Sequence, residues 1–498
     1  MALVTVIATL APWVVGTAVL YSLLRPQTAS PAQHCLIVGA GAYVGYVLLA
    51  AAMAAVLAAG LNPFSSIALG GWAAVSVGSV GVIIYRVRAC QRLPAAHTNT
   101  PVGHALTGLG GLWLLALVAW LTVEVWHSPI MAWDVVWVWG LEASEQLSSA
   151  LGPEPRITAG GTHPATMVMV LAWSAFWANI GSTHVLGAGP WLVAYAGIVL
   201  MTLGLVQHVA RHWTVAVWLT AAVVSAPLIE AHTAQGGYAD LWVLAGVVAG
   251  LCLGLGVTRD HPQRAPTLAA MLAGALVLIS VAWIKNNGVA YTVIGLAGLG
   301  LGALLTGRRA AVGYLAVGGV GLVVGVVLVW GVAVDIGPFE AGYSPDRGEI
   351  RLGNRAGGLA DVALSTVMFH LWHAWVMASS FGVMFAASLV GLPVATVYAL
   401  LKKDRVGTTL ALSAWGLISF LIVAQFSEYF LPVATPANDT GLSRASHAVY
   451  WVTALAAITT ALNAARWMTR RDQNTDGAQA ADSEGRETPA TRATRHGA

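Results

Sequence analysis

The chain has 498 residues, of which 57% are hydrophobic and only 9% charged, with a formal net charge of +3 and a mean hydropathy of +0.74. An average soluble domain carries about 25% charged residues, so this composition excludes an ordinary water-soluble protein and turns most of the surface toward lipid. The small net charge gives no nucleic-acid footprint, and Cys35, Cys90 and Cys252 are too scattered for a disulfide framework or a metal-type spacing.

Apolar runs near the ~20 residues that cross ~30 Å of hydrocarbon recur along the chain. They fall at 1–24, 34–60, 66–86, 105–126, 186–206, 212–229, 239–257, 265–284, 288–306, 311–335, 382–401, 407–427 and 446–465. In lipid every backbone amide must be satisfied within its own segment, so these runs predict an all-α, polytopic integral membrane protein with about 13 transmembrane helices. The first run has no basic leader and no cleavage site, and reads as a retained span.

Basic residues punctuate the spans at Arg86, Arg88 and Arg92, at Arg211, at Arg259 and Arg264, at Arg308 and Arg309, at Lys402, Lys403 and Arg405, and at Arg466, Arg470 and Arg471. The positive-inside rule places all of them in the cytoplasm. The alternation then works if the apolar segments 164–181 and 361–380 do not cross, but lie along the outer interface or dip in and return. On that topology 127–163, 230–238, 336–360 and 428–445 emerge together on the outer face. Residues 466–498 have the composition of a disordered cytoplasmic tail.

The unusual residues sit in those outer loops. Asp134 follows the fourth span in MAWDVVWVWG, among Trp133, Trp137 and Trp139. An aromatic belt with one solvated acid accounts for this; so does a carboxylate poised at the interface as general base. Glu142 and Glu145 follow as weaker acids. His163 precedes Pro164 at the start of an apolar segment, which is either a plain helix start or a helix N-terminus holding a phosphate oxygen. In PLIEAHTAQGGYADLW, Glu230, His232, Gly236, Gly237, Tyr238 and Asp240 crowd one short turn. Gly-Gly permits a tight reversal and Asp240 could serve as an N-cap, yet the density of ionisable groups favours a site. Arg444 and His447 share a face at the mouth of the last span. An outer arginine is either a snorkelling side chain or an anion ligand, with a lipid phosphate the obvious anion. His370 and His373 are too few for a metal site.

Taken in chain order, the WD element, the His-Pro opening of a Trp-rich segment, GYADL at the head of a span, and DTGLSRASH near the C-terminus resemble the GT-C superfamily of membrane glycosyltransferases. The likeness is to bacterial proteins of the protein mannosyltransferase and aminoarabinose transferase group, and runs over 105–465. The resemblance implies a GT-C-like catalytic region there, a three-helix N-terminal membrane module over 1–104, and a tail over 466–498. It implies an enzyme of the bacterial inner membrane that moves a sugar from a polyprenyl-phosphate donor to an acceptor of unknown kind on the extracytoplasmic side. Asp134 then matches the catalytic base and Asp240 a second acid of the catalytic set. His163 and Arg444 match donor-phosphate ligands, and His232, Tyr238, His447 and Trp133 are carried as substrate-binding candidates. No resident cofactor is expected; the lipid-linked sugar is the donor substrate, membrane lipid is the other partner, and a divalent metal is left open.

Three rival readings belong to other classes. A transporter or flippase of lipid-linked precursors calls for acids at mid-membrane depth and broken helices. A glycan polymerase or ligase calls for a larger outer loop. A non-catalytic membrane subunit predicts that Asp134, Asp240 and Arg444 can be replaced together without loss.

Overall fold

The computed structural model describes residues 2–26, 28–92, 100–127, 140–157, 165–178, 188–255, 268–285, 288–306, 334–336, 339–344, 349–352, 355–357, 364–373, 375, 381–424 and 446–485. Its first four helices are α1 (Ala2–Leu24), α2 (Pro31–Ala58), α3 (Ser66–Ala89) and α4 (Pro101–His127). Local chemistry sets their starts. Ser30 closes a capping box with Gln33 ahead of Pro31, and the Ser65 side chain accepts from Ala68 N, each satisfying amides that open a helix. The chain continues through α5 (Gly140–Leu151), α6 (Ala165–Ala178), α7 (Gly189–Ala210), α8 (Trp213–Val224), α9 (Pro227–Gln235) and α10 (Ala239–Gly254). It ends with α11 (Leu268–Val281), α12 (Gly288–Leu305), α13 (Leu364–Trp372), α14 (Gly382–Leu401), α15 (Arg405–Ala424) and α16 (His447–Gly485).

Among the described residues nine helices are long and apolar enough to cross a membrane: α1, α2, α3, α4, α7, α12, α14, α15 and α16. A tenth is counted if α8 and α9, bent by 68°, form one broken span. The runs at 239–257 and 265–284 form the shorter apolar helices α10 and α11, and most of 311–335 lies outside the described residues. Segment 164–181 contains α6, whose residues Met167 to Ala172 are all buried. Trp173 of α6 donates to Ala8 O at 3.2 Å, and Thr5 donates to Trp177 O at 3.0 Å. Of the two expected placements, this burial favours a segment packed into the bundle over one lying on its surface. Segment 361–380 contributes α13, only nine residues long.

Small residues let the central helices meet closely. A Cβ at Gly39 of α2 would lie 2.7 Å from the Gly197 carbonyl oxygen of α7, an approach that packs backbones where lipid supplies no hydrophobic drive. Tyr46 of α2 meets Trp242 of α10 edge-on with centroids 5.1 Å apart, and Tyr43 shares a 3.1 Å hydrogen bond with Ser280 of α11. The N-terminal helices are thus continuous with the rest of the bundle through α2. Every residue of α10 is buried.

The break between α8 and α9 has a direct cause. Pro227 has no N–H, so the carbonyl of Val223 loses its helical partner. Tyr450 donates to Val223 O at 2.8 Å and Tyr195 to Val224 O at 3.2 Å. Buried carbonyls at a break must find such partners.

Strand pairing is confined to two small pieces. β1 (Thr28–Ala29) pairs in parallel with β2 (Gln91–Arg92). β3 (Val334–Ile336), β4 (Phe339–Ser344), β5 (Glu349–Leu352) and β6 (Arg355–Gly357) form an antiparallel meander within the expected loop 336–360 and the residues just before it. The last helix runs on to Gly485, past the point where the sequence suggests a disordered tail. A long apolar helix supplies the nucleus that lets polar residues such as Arg466, Met468 and Thr469 propagate it.

The two ends of the bundle differ in charge. At one end the Arg405 guanidinium, buried, donates to the carbonyls of Gly254 and Leu255 at the close of α10. Lys402 lies over the Trp467 ring at 3.9 Å, Asn463 donates to Asp404 at 2.7 Å, and His208 is in electrostatic range of Arg211 and Arg466. Thr107 near the start of α4 bonds Thr214 near the start of α8 at 2.8 Å, so α4 leaves this basic end with α8. The opposite end holds the α9–α10 turn, the close of α11 and the starts of α12 and α16.

Candidate functional site

At that opposite end four of the sequence-derived candidates come together. His232 ends α9, and Gly236 and Gly237 reverse the chain with φ of +63° and +80°, backbone states that favour glycine. The carbonyl of Tyr238 accepts a 2.8 Å bond from Trp191 Nε1 of α7, which fixes the turn against the bundle. Asp240 then falls in the first turn of α10, where the helix dipole favours a carboxylate.

The side chains converge. The His232 ring lies 4.3 Å from that of Tyr238 and stacks on His447 of α16 at 4.6 Å. The Phe381 ring meets His447 edge-on at 5.6 Å and stacks on Tyr450 at 5.0 Å. Both histidines are buried. Next to them Ser446 accepts a 2.7 Å bond from Trp375 Nε1. Asp240 is in electrostatic range of His447 and His232, and Tyr291 of α12 is in range of Asp240.

One member of the cluster escapes the sequence reading. Lys285, just beyond α11, donates to both carboxylate oxygens of Asp240 at 2.9 Å. The two side chains occupy complementary helix ends, the acid at a start and the base beyond a close. A signal existed: Lys285 is a lone cation between two apolar runs, away from every basic cluster. The same reasoning that singled out Arg444 applies to it.

Trp133, Asp134, His163 and Arg444 lie outside the described residues. The described chain places only their flanks: α4 ends at His127 on the site end, and α16 begins there at His447. Glu142 is on α5, and Glu230, half-buried on α9, is in electrostatic range of Tyr195. His370 and His373 contact the ring of Phe369. Among the described residues no group of three or more His, Cys, Asp or Glu is placed to hold a metal ion.

Fold and cluster together define a multi-pass helical membrane protein with ionisable side chains gathered at one end of its bundle. Comparison of the chain with protein-family models, with curated proteins and with solved structures gives no match.

Proposed function

We propose that the protein is an integral membrane glycosyltransferase that moves a sugar from a polyprenyl-phosphate donor to an acceptor on the extracytoplasmic side. What carries the reading is the meeting of His232, Tyr238, Asp240 and His447, from distant stretches of chain, at the end of the bundle opposite the basic residues. The positive-inside rule assigns the basic end to the cytoplasm of an inner-membrane protein, and so turns the cluster outward, where a lipid-anchored donor presents its phosphate and sugar. The fold is GT-C-like on this reading, and α8–α9, α10, α11 and the run 311–335 complete the expected set of about 13 spans.

In the proposed reaction Asp134 takes the proton of an acceptor hydroxyl. The acceptor oxygen bonds to the anomeric carbon, the bond from that carbon to the phosphate oxygen breaks, and the configuration inverts. His163, Arg444 and His447 stabilise the departing polyprenyl phosphate as its negative charge develops.

The test is purified protein incubated with a panel of polyprenyl-phosphate sugars, with donor loss as the readout. Wild type consumes one of them, and Asp134→Asn abolishes consumption while expression and topology are kept. Full turnover by that variant removes the base assignment, and no consumption of any donor by wild type removes the transferase reading.

A second reading, transport of a lipid-linked anion, is favoured by the 68° break between α8 and α9 and by the buried Asp240 with its lysine. Translocation of an intact donor across proteoliposomes, without loss of its sugar, is the outcome that selects it.

A further inference from the structure

The Asp240–Lys285 pair is lopsided. The lysine side chain is 28% exposed and the carboxylate side chain 4%. The positive end of the pair therefore faces out of the bundle and the negative end faces in. One ammonium serves both carboxylate oxygens, which leaves its third proton without a partner among the described residues.

This polarity selects a ligand class. A cation site would present the carboxylate to the opening and a neutral sugar subsite would present uncharged donors and acceptors; here an ammonium with an uncommitted N–H stands at the opening. Lysine binds phosphate as a compact point charge. The rings of His232, Tyr238 and His447 stand beside the pair and add polar edges without a second fixed negative charge.

We propose that Lys285 holds the phosphate group of the ligand that enters this end of the bundle, and that Asp240 is the positioning residue that keeps its ammonium there. The ligand is a phosphomonoester or phosphodiester. Its identity as the lipid-linked donor rests on the transferase reading; the binding role of Lys285 does not. Asp240 thereby moves from a second catalytic acid to the anchor of a binding cation, since its oxygens are both engaged and turned inward.

The experiment measures binding to the full chain in nanodiscs of zwitterionic lipid, with polyprenyl phosphate and inorganic phosphate titrated separately. Lys285→Met alone strands a buried carboxylate and is liable to misfold, so the informative variant is Lys285→Met with Asp240→Asn, which removes both charges. It is expected to unfold near the wild-type temperature and to bind about ten- to a hundredfold more weakly, the worth of one charge-assisted hydrogen bond. Asp240→Asn alone weakens binding and Asp240→Glu restores part of it, which a purely structural role for Asp240 does not predict. Parallel loss for both ligands identifies the phosphate group itself as the determinant, and loss for the lipid alone identifies a lipid-linked phosphate. Binding by the double variant equal to wild type, or no binding of either ligand by wild type, overturns the proposal. Binding lost in the double variant, with no sugar donor consumed by wild type, keeps Lys285 and removes the transferase. Unchanged binding with sugar transfer intact does the reverse.

Discussion

Gly236→Ala is a demanding test of the site's construction, because two separate penalties can be read from the geometry. Gly236 has φ +63° and ψ 170°, a region open essentially to glycine alone, and a side chain held there costs about 1–3 kcal/mol. The new Cβ would also lie 2.6 Å from the Cβ and 2.9 Å from the Cα of Ala188. The second of these atoms is backbone and cannot swing aside, so overpacking adds about 1–3 kcal/mol. Loss of unfolded-state freedom returns about 0.4–1 kcal/mol. The net is a destabilisation of about 1–5 kcal/mol. The assay is retention of monodisperse protein after graded heating in detergent, compared with wild type at one heating rate. Ala188→Gly in the same background removes the contact and leaves the backbone strain, so it should recover part of the loss and not all of it. An unchanged midpoint for Gly236→Ala, or complete recovery in the double variant, refutes the reasoning.

Two further outcomes follow from the polar groups that hold the bundle. Tyr450→Phe leaves the Val223 carbonyl without its donor in the interior, and should cost about 1–3 kcal/mol in the same heating assay; no shift would mean the break at Pro227 finds another partner. At the basic end, burial raises the Asp404 carboxyl above its ordinary value, against hydrogen bonds from Asn463, Gly407 and Val406 that lower it. A carboxyl raised in the folded state lends stability below its unfolded value and loses it as pH rises through the folded value. Heat resistance of wild type should therefore carry a component that declines with rising pH just above the usual carboxylate range. Asp404→Asn should flatten that component, and an identical pH profile for the two proteins would rule it out.

Much of the cluster was legible because charge is so scarce in this sequence. His232, Asp240 and His447 stand out against apolar surroundings, and the Gly-Gly before Tyr238 announces a reversal whatever lies around it. Lys285 was passed over because a single cation between spans looks like a topology marker until its partner is known, and that partner is 45 positions away. The break at Pro227 could be read locally. Its repair by Tyr195 and Tyr450 could not, since pairing across long sequence separations leaves no periodic trace. The depth of α6 was equally hidden, because an aromatic-rich apolar segment has the same composition whether it rests at an interface or inside a bundle. The helix length beyond Arg466 was missed for a different reason: composition reports what a segment can do alone, and here it grows from a helix already formed.

The total enclosure of α10 has a consequence for how the protein meets different bilayers. At 16 residues the helix is about 24 Å long, short of a typical hydrocarbon core, but with protein on every side it has no lipid boundary to match. Thickness mismatch acts on helices that touch lipid, by tilting them or deforming the membrane around them. Here that load falls on the periphery, above all on α3, where only 6% of the membrane-length window is buried. The acid at the head of α10 is thereby mechanically insulated: a thicker or thinner membrane can rock the outer helices while the distance from Asp240 to its lysine stays the same.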